Sequence, residues 1–137
     1  RYLQRASKLN TTWRLRAEQR ANTYLNTCAV LSRLGRHREG LEAARKALKW
    51  AKVALADAKT SQRGSQTSVD AATLVALSLH NSAVQHEHLR QWKDALAAYH
   101  SSAKTAARCL GPGHSITKTL RTAHSEFKHS RDATAMD

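Results

Sequence analysis

The side chains best suited to metal or nucleophilic chemistry in this chain are eight histidines and two cysteines. Three of the histidines, His80, His86 and His88, lie close together in the sequence. Metal ligands have to converge on one point, and zinc commonly takes a tetrahedral set. On a helix His86 and His88, two positions apart, point to nearly opposite sides. The run His86-Glu87-His88 also lacks the i, i+4 histidine spacing of a metalloprotease helix. Cys28 and Cys109 stand apart, with neither zinc spacing nor enough partners for a disulfide framework. The sequence contains no glycine loop for phosphates, no nucleophile elbow and no local Cys–His pair. The reading is of a non-enzyme with no catalytic residue, no metal and no cofactor. What remains is the chemistry of amides and cations. An asparagine offers a donor and an acceptor together, which suits two-point contact with a peptide bond, and Asn26 and Asn81 recur in matching surroundings.

The elements that must position these asparagines are helical. The chain has 137 residues, 41% of them apolar, enough for one packed domain, while aromatic residues make up only 5% and there is a single Pro. Ala, Leu, Arg, Lys and Gln recur, the residue types that lose least on entering a helix. Trp13, Ala17, Ala21, Tyr24, Leu25, Cys28 and Leu31 mark one helical stripe between about Thr12 and Leu34. Gly35 ends it, and Leu41, Ala44, Ala47, Leu48, Ala51 and Leu55 mark the next, which makes a first hairpin over 12–58. The polar stretch 59–68, with Gly64 at its middle, is expected to be an exposed loop. A second hairpin is expected over 69–110, its helices meeting before Trp92. Gly111-Pro112-Gly113 then breaks the chain, because Pro112 lacks a backbone donor and fixes its own geometry. A closing helix is expected over 115–130, with Ser115 as its N-cap, and a frayed tail from Arg131. The chain lacks an initiator Met and opens on residues already in helical register, so an excerpt of a longer protein is expected.

Set at an offset of 55 residues, Asn81 over Asn26, the two hairpins align without a gap. Cys28 meets Ala83, His37 meets Trp92, Gly40 meets Ala95, Leu41 meets Leu96 and Ala44 meets Tyr99. Small residues at 28/83 and 40/95 mark where the two helices of a hairpin cross closely, and the rings at 37/92 belong beside the turn. A core made largely of Ala and Leu suits helices that approach one another closely. This pattern resembles the tetratricopeptide repeat, and more specifically the longer repeats of the kinesin-light-chain type. The resemblance is carried by Leu25-Asn26 with Cys28, by Gly35 with His37, and by Leu110-Gly111-Pro112-Gly113-His114, over roughly Tyr24 to His114. The first hairpin lacks the closing Leu-Gly-x-x-His. Gly40 stands where the family favours Ala, at a cost in helix stability of about 0.5–1 kcal/mol.

The resemblance implies an all-α, tetratricopeptide-like repeat solenoid of about five helices. Its inner wall would be formed by the first helix of each hairpin. On that register the partner-binding residues are Asn22, Leu25, Asn26, Ala29 and Arg33 in one helix and Leu77, His80, Asn81, Val84 and His88 in the other. Asn26 and Asn81 would clasp the backbone of an extended peptide, with Arg33, His80 and His88 drawing its acidic side chains. The three tryptophans are expected in packing roles. A formal net charge of +13, from 23 Lys and Arg against 10 Asp and Glu, agrees with an acidic partner: a protein or peptide, a tubulin-like surface in a cytoskeletal or ciliary assembly, or RNA. Few aromatic side chains interleave with the basic ones, which counts against base stacking. A protein-binding scaffold is the first reading and a basic RNA-binding repeat the alternative. The sequence has no run of about 18 apolar residues to span a bilayer. An intracellular location, cytoplasmic or cytoskeletal, is expected, with no membrane partner.

Overall fold

In the computed structural model, which describes residues 2–60 and 65–136, every regular element among the described residues is an α-helix. The order is α1 (Tyr2–Arg33), α2 (His37–Thr60), α3 (Ser65–His88), α4 (Trp92–Leu110) and α5 (Ser115–Met136). Each helix packs on the next, and α1 also touches α3. The central helix α3 is therefore covered from three sides. Its sequence anticipates this, since Ala71, Ala72, Leu74, Val75, Ala76, Leu77 and Leu79 leave almost no polar face.

Several boundaries differ from the sequence reading. Helix α1 begins at Tyr2, so the helical register at the start of the chain runs unbroken into the stripe from Thr12, and the stretch expected as a loop is helical at both ends, with α2 reaching Thr60 and α3 starting at Ser65. Gly64 and its neighbours 61–63 lie outside the described residues. A lack of large apolar side chains removes the periodic signal of a helix without removing the capacity to extend one from a packed neighbour. The same reason carries α5 through Arg131 to Met136, where a frayed tail was expected. Ser115 is the first residue of α5 rather than its cap. The imidazole of His114 takes that role, its Nδ1 accepting the Ile116 N–H at 3.1 Å, so one of the orphan donors of the first turn is satisfied.

The two hairpin turns are alike bond for bond at the 55-residue offset. Gly35 N–H donates to Ser32 O and Arg36 N–H to Leu31 O, at 3.0 and 2.9 Å; Arg90 N–H donates to Glu87 O and Gln91 N–H to His86 O, at 3.0 and 2.9 Å. Both are helix C-caps of the Schellman type, which place one residue in the left-handed region. That residue is Gly35 at φ 75° in the first turn and Arg90 at φ 60° in the second, the one non-glycine with positive φ among the described residues. A side chain in this region costs roughly 1–2 kcal/mol. Arg90→Gly is therefore expected to raise stability by about 1 kcal/mol, part of the relief being returned through the freer unfolded chain. Gly35→Ala should lower stability by a similar amount, and urea unfolding of the two variants reads both signs.

The core is made of small side chains. Ala21, Ala44, Ala47, Ala51 and Ala54 are fully buried along α1 and α2, and Ala71, Ala76, Ala83, Ala95 and Ala106 along α3 and α4. Buried serines close their hydroxyl bonds on their own helices, Ser78 Oγ donating to Leu74 O at 2.7 Å and Ser102 Oγ to Tyr99 O at 2.9 Å. A hydroxyl satisfied in this way can sit at a helix crossing without an orphaned donor. Large side chains gather at the edges of this layer. Leu25, Leu74 and Val75 pack with Tyr24, Leu48 and Trp50 at one side, and Tyr99 and Phe127 pack with Trp92 at the other.

Candidate functional site

The residues singled out on α1 divide by side. Asn22, Asn26, Ala29 and Arg33 are exposed. Leu25 is 9% exposed and belongs to the cluster of Ala47, Ala51, Leu74 and Val75. Its place in the core corrects the sequence reading. One residue of the Leu-Asn pair anchors the helix and the other turns outward, as the 100° step between helical neighbours requires.

On α3 the open strip is narrow. Leu77, Asn81, Val84 and His88, spaced i, i+4, i+7 and i+11, lie along one line of the helix. His88 is exposed and the other three are half-buried, whereas Ala76, Ser78, Ser82, Ala83 and Gln85 are buried around them. Leu77 and Val84 lean on core clusters as well, so they form a wall more than a contact tip. His80 stands beside this line. Its ring meets the Tyr99 ring edge-on at 5.6 Å, and its Nδ1 is buried without a hydrogen-bond partner.

Burial holds the pKa of His80 below its ordinary value. A buried imidazole in this environment is neutral near pH 7. Below about pH 6.5 the unfolded chain takes up that proton before the folded one does, so stability falls with falling pH. His124 acts in the same direction, its pKa lowered by burial and then by His100 and Lys128. The urea midpoint is expected to drop between about pH 7.5 and about pH 5.5, and to drop less in His80→Phe. An equal drop in the variant would remove His80 from the account.

The three histidines that lie near each other in sequence have three different neighbours. His80 faces Tyr99, His86 Nδ1 lies 2.7 Å from Gln91 Oε1, and His88 stacks flat on His37 with ring centroids 4.1 Å apart. His37 also reaches Gln85, Nδ1 to Oε1 at 2.8 Å. The end of the α1–α3 face is thus closed by a latch of His37, Gln85 and His88 across the first hairpin turn. The sequence reading placed a ring at position 37 but had no sign of Gln85, a polar residue that is only 2% exposed. Among the described residues no three His, Cys, Asp or Glu side chains group as metal ligands would.

The tryptophans also divide. Trp50 and Trp92 are half-buried, the first beneath the guanidinium of Arg20 at 4.5 Å and the second beneath that of Arg131 at 4.0 Å. Trp13 is 50% exposed and touches Trp50 only edge-on at 6.2 Å, so it is not a core residue as expected.

No family model, curated protein or solved structure matches the chain. The candidate site therefore stands on its own geometry. The basic residues on this side, Arg33 at the end of α1 and Arg36 in the turn, are exposed. Arg36 is engaged by Glu39, Nε donating to Oε1 at 2.8 Å, which leaves Arg33 as the cation of the named set. No helix among the described residues is long and apolar enough to cross a membrane.

Proposed function

We propose that this chain is a tetratricopeptide-like scaffold of two hairpins and a closing helix that holds an acidic, extended segment of a protein partner against α1 and α3. The observation that carries the reading is the open line Leu77, Asn81, Val84 and His88 on a helix whose Ala76, Ser78, Ser82, Ala83 and Gln85 are buried around it, with Asn22, Asn26, Ala29 and Arg33 exposed on the helix that touches it. A helix buried on its other sides is a rigid support, and rigidity lowers the entropy cost of capturing a flexible peptide. Asn26 and Asn81 carry matched amide groups for its backbone, and the net charge of +13 draws acidic side chains.

A nucleic-acid partner is less well supported. Sequence-tolerant binding of single strands depends on free aromatic faces. Here Arg20 and Arg131 lie over Trp50 and Trp92, and Lys46 stands 5.7 Å from the centre of the Tyr24 ring.

The test is selection of acidic extended peptides from a displayed library on the full chain, followed by measurement of affinity for Asn26→Ala/Asn81→Ala. Loss of both amides is expected to weaken binding at least about tenfold, with the helical circular dichroism unchanged. Peptides that bind the double variant as tightly as the parent chain would overturn the assignment of this face.

A further inference from the structure

A second face of the molecule carries a different proposal. Between α4 and α5 run two stretches of open groove, of about 670 and 410 Å³, that share His100 and His124. Their rim is cationic: Lys93, Lys104, Arg108, Arg121 and Lys128 all line it, and no carboxylate does among the described residues. The floor is apolar and shallow, made by Leu96, Ala97, Ala103 and Ala107.

The first hairpin offers a comparison. Helices α2 and α3 stand one hairpin earlier, and α4 packs on α3. At the 55-residue offset Leu96 corresponds to Leu41, yet Leu41 is 6% exposed and Leu96 is 38% exposed. The small groove at Leu41 is lined by Arg38 and Arg45 of α2, by His86 and Leu89 at the end of α3, and by Asp94 in the first turn of α4. In the second hairpin the matching positions are Lys93 and His100, and among the described residues no acidic side chain lines the groove with them. We propose that the α4–α5 groove is a docking site for an acidic amphipathic helix of a partner protein, seated on α5 as α4 is seated on α3.

Such a helix would set small or apolar residues on the alanine floor at i, i+4 and i+7. Its aspartates and glutamates would meet Lys104, Arg108, Arg121 and Lys128. The pKa of His124 is lowered by burial first, and His100 and Lys128 add a smaller repulsion in the same direction. A carboxylate placed there would offset that repulsion. This site goes beyond the α1–α3 reading and shares no residue with it.

The experiment displays helical peptides of about 18 residues, long enough for five turns, with Ala and Leu on one face. One arm carries Asp and Glu on the flanks and the other Lys and Arg, and both are panned on the full chain. Binders are expected from the acidic arm alone. Leu96→Asp and Arg121→Glu, both at exposed positions, should each weaken the selected peptide at least about tenfold with circular dichroism unchanged, while Asn26→Ala/Asn81→Ala leaves it untouched. No binders, binders from both arms alike, or binders indifferent to Leu96→Asp and Arg121→Glu overturn the proposal. So does a single-stranded RNA of about 20 nucleotides that binds more tightly than the peptide at about 0.15 M salt and responds to Arg121→Glu but not to Leu96→Asp, which would assign the groove to nucleic acid.

Discussion

Phe127→Ala is expected to cost about 3–5 kcal/mol, the range for truncating a buried phenylalanine, and to free α5 before the rest of the fold unravels. Phe127 is 6% exposed and sits among Ala83 of α3, Ala95 and Tyr99 of α4, and Trp92. Its ring centre is 5.0 Å from that of Tyr99 and 6.5 Å from that of Trp92, so the loss includes aromatic contacts as well as buried area. The rest of this boundary is small, since Ala76, Ala103 and Ala106 meet Leu120 at the other end of α5. Removing the ring leaves a cavity between the rings of Tyr99 and Trp92 and the alanines 83 and 95, and the alanines have no side chains long enough to collapse into it. Arg131 then loses the support of Trp92 from below. Hydrogen exchange of the variant is expected to show α5 amides opening at far lower free energy than those of α3, a sub-global step. Uniform loss of protection over all five helices would argue instead for one cooperative unit.

The comparison of sequence with structure turns on particular residues. Helical class, the hairpin turn at Gly35 and the start of α4 at Trp92 were legible because the apolar stripe, the glycine breaker and the 55-residue register each leave a mark in the sequence. The 55-residue register was legible too, and the two turns repeat it down to single hydrogen bonds. Helix ends in polar sequence were not legible. Near Thr60, Ser65 and Arg131 nothing local separates a solvated helix from a loop, and neighbouring packed turns decide the matter. In the candidate site the alternation of Leu25 inward and Asn26 outward follows from helix geometry once the core side is known, but the side itself comes from α2 and α3. Leu41 and Leu96 make the same point, being equivalent in sequence and unlike in burial. Leu41 is 6% exposed and Leu96 38%, a difference of surroundings that no local pattern encodes. The Gln85 latch was out of reach for another reason: a polar residue in a helix reads as surface until its partner, here His37 of α2, is located.

Gly40→Val is expected to lower stability by about 3 kcal/mol, although helix propensity alone favours replacing a glycine inside a helix. A Cβ at position 40 would stand 3.1 Å from Gln85 Oε1 and 3.6 Å from the carbonyl oxygen of Cys28. Helices α1, α2 and α3 meet at this point, and the side chain that fills the gap above Gly40 is the amide of Gln85. Overpacking by the added methyls accounts for about 1–3 kcal/mol. Displacing a buried amide from His37 adds a penalty of about 1–3 kcal/mol when no new partner is found. Gly40→Ala separates these effects. With Gln85 in place, its propensity gain of about 0.5–1 kcal/mol is cancelled by the crowded amide, and the variant is expected to be neutral or less stable than the parent. In a Gln85→Ala background the amide is gone, the crowding with it, and the same Gly40→Ala change should stabilise. A double-mutant cycle in urea therefore predicts a coupling between positions 40 and 85 of at least about 0.5 kcal/mol. Additive changes would mean that Gln85 can swing aside at no cost, and the glycine would then need another reason. The coupled result explains why Gly40 stands where the resembling repeats favour alanine: the side chain missing from α2 is supplied by α3.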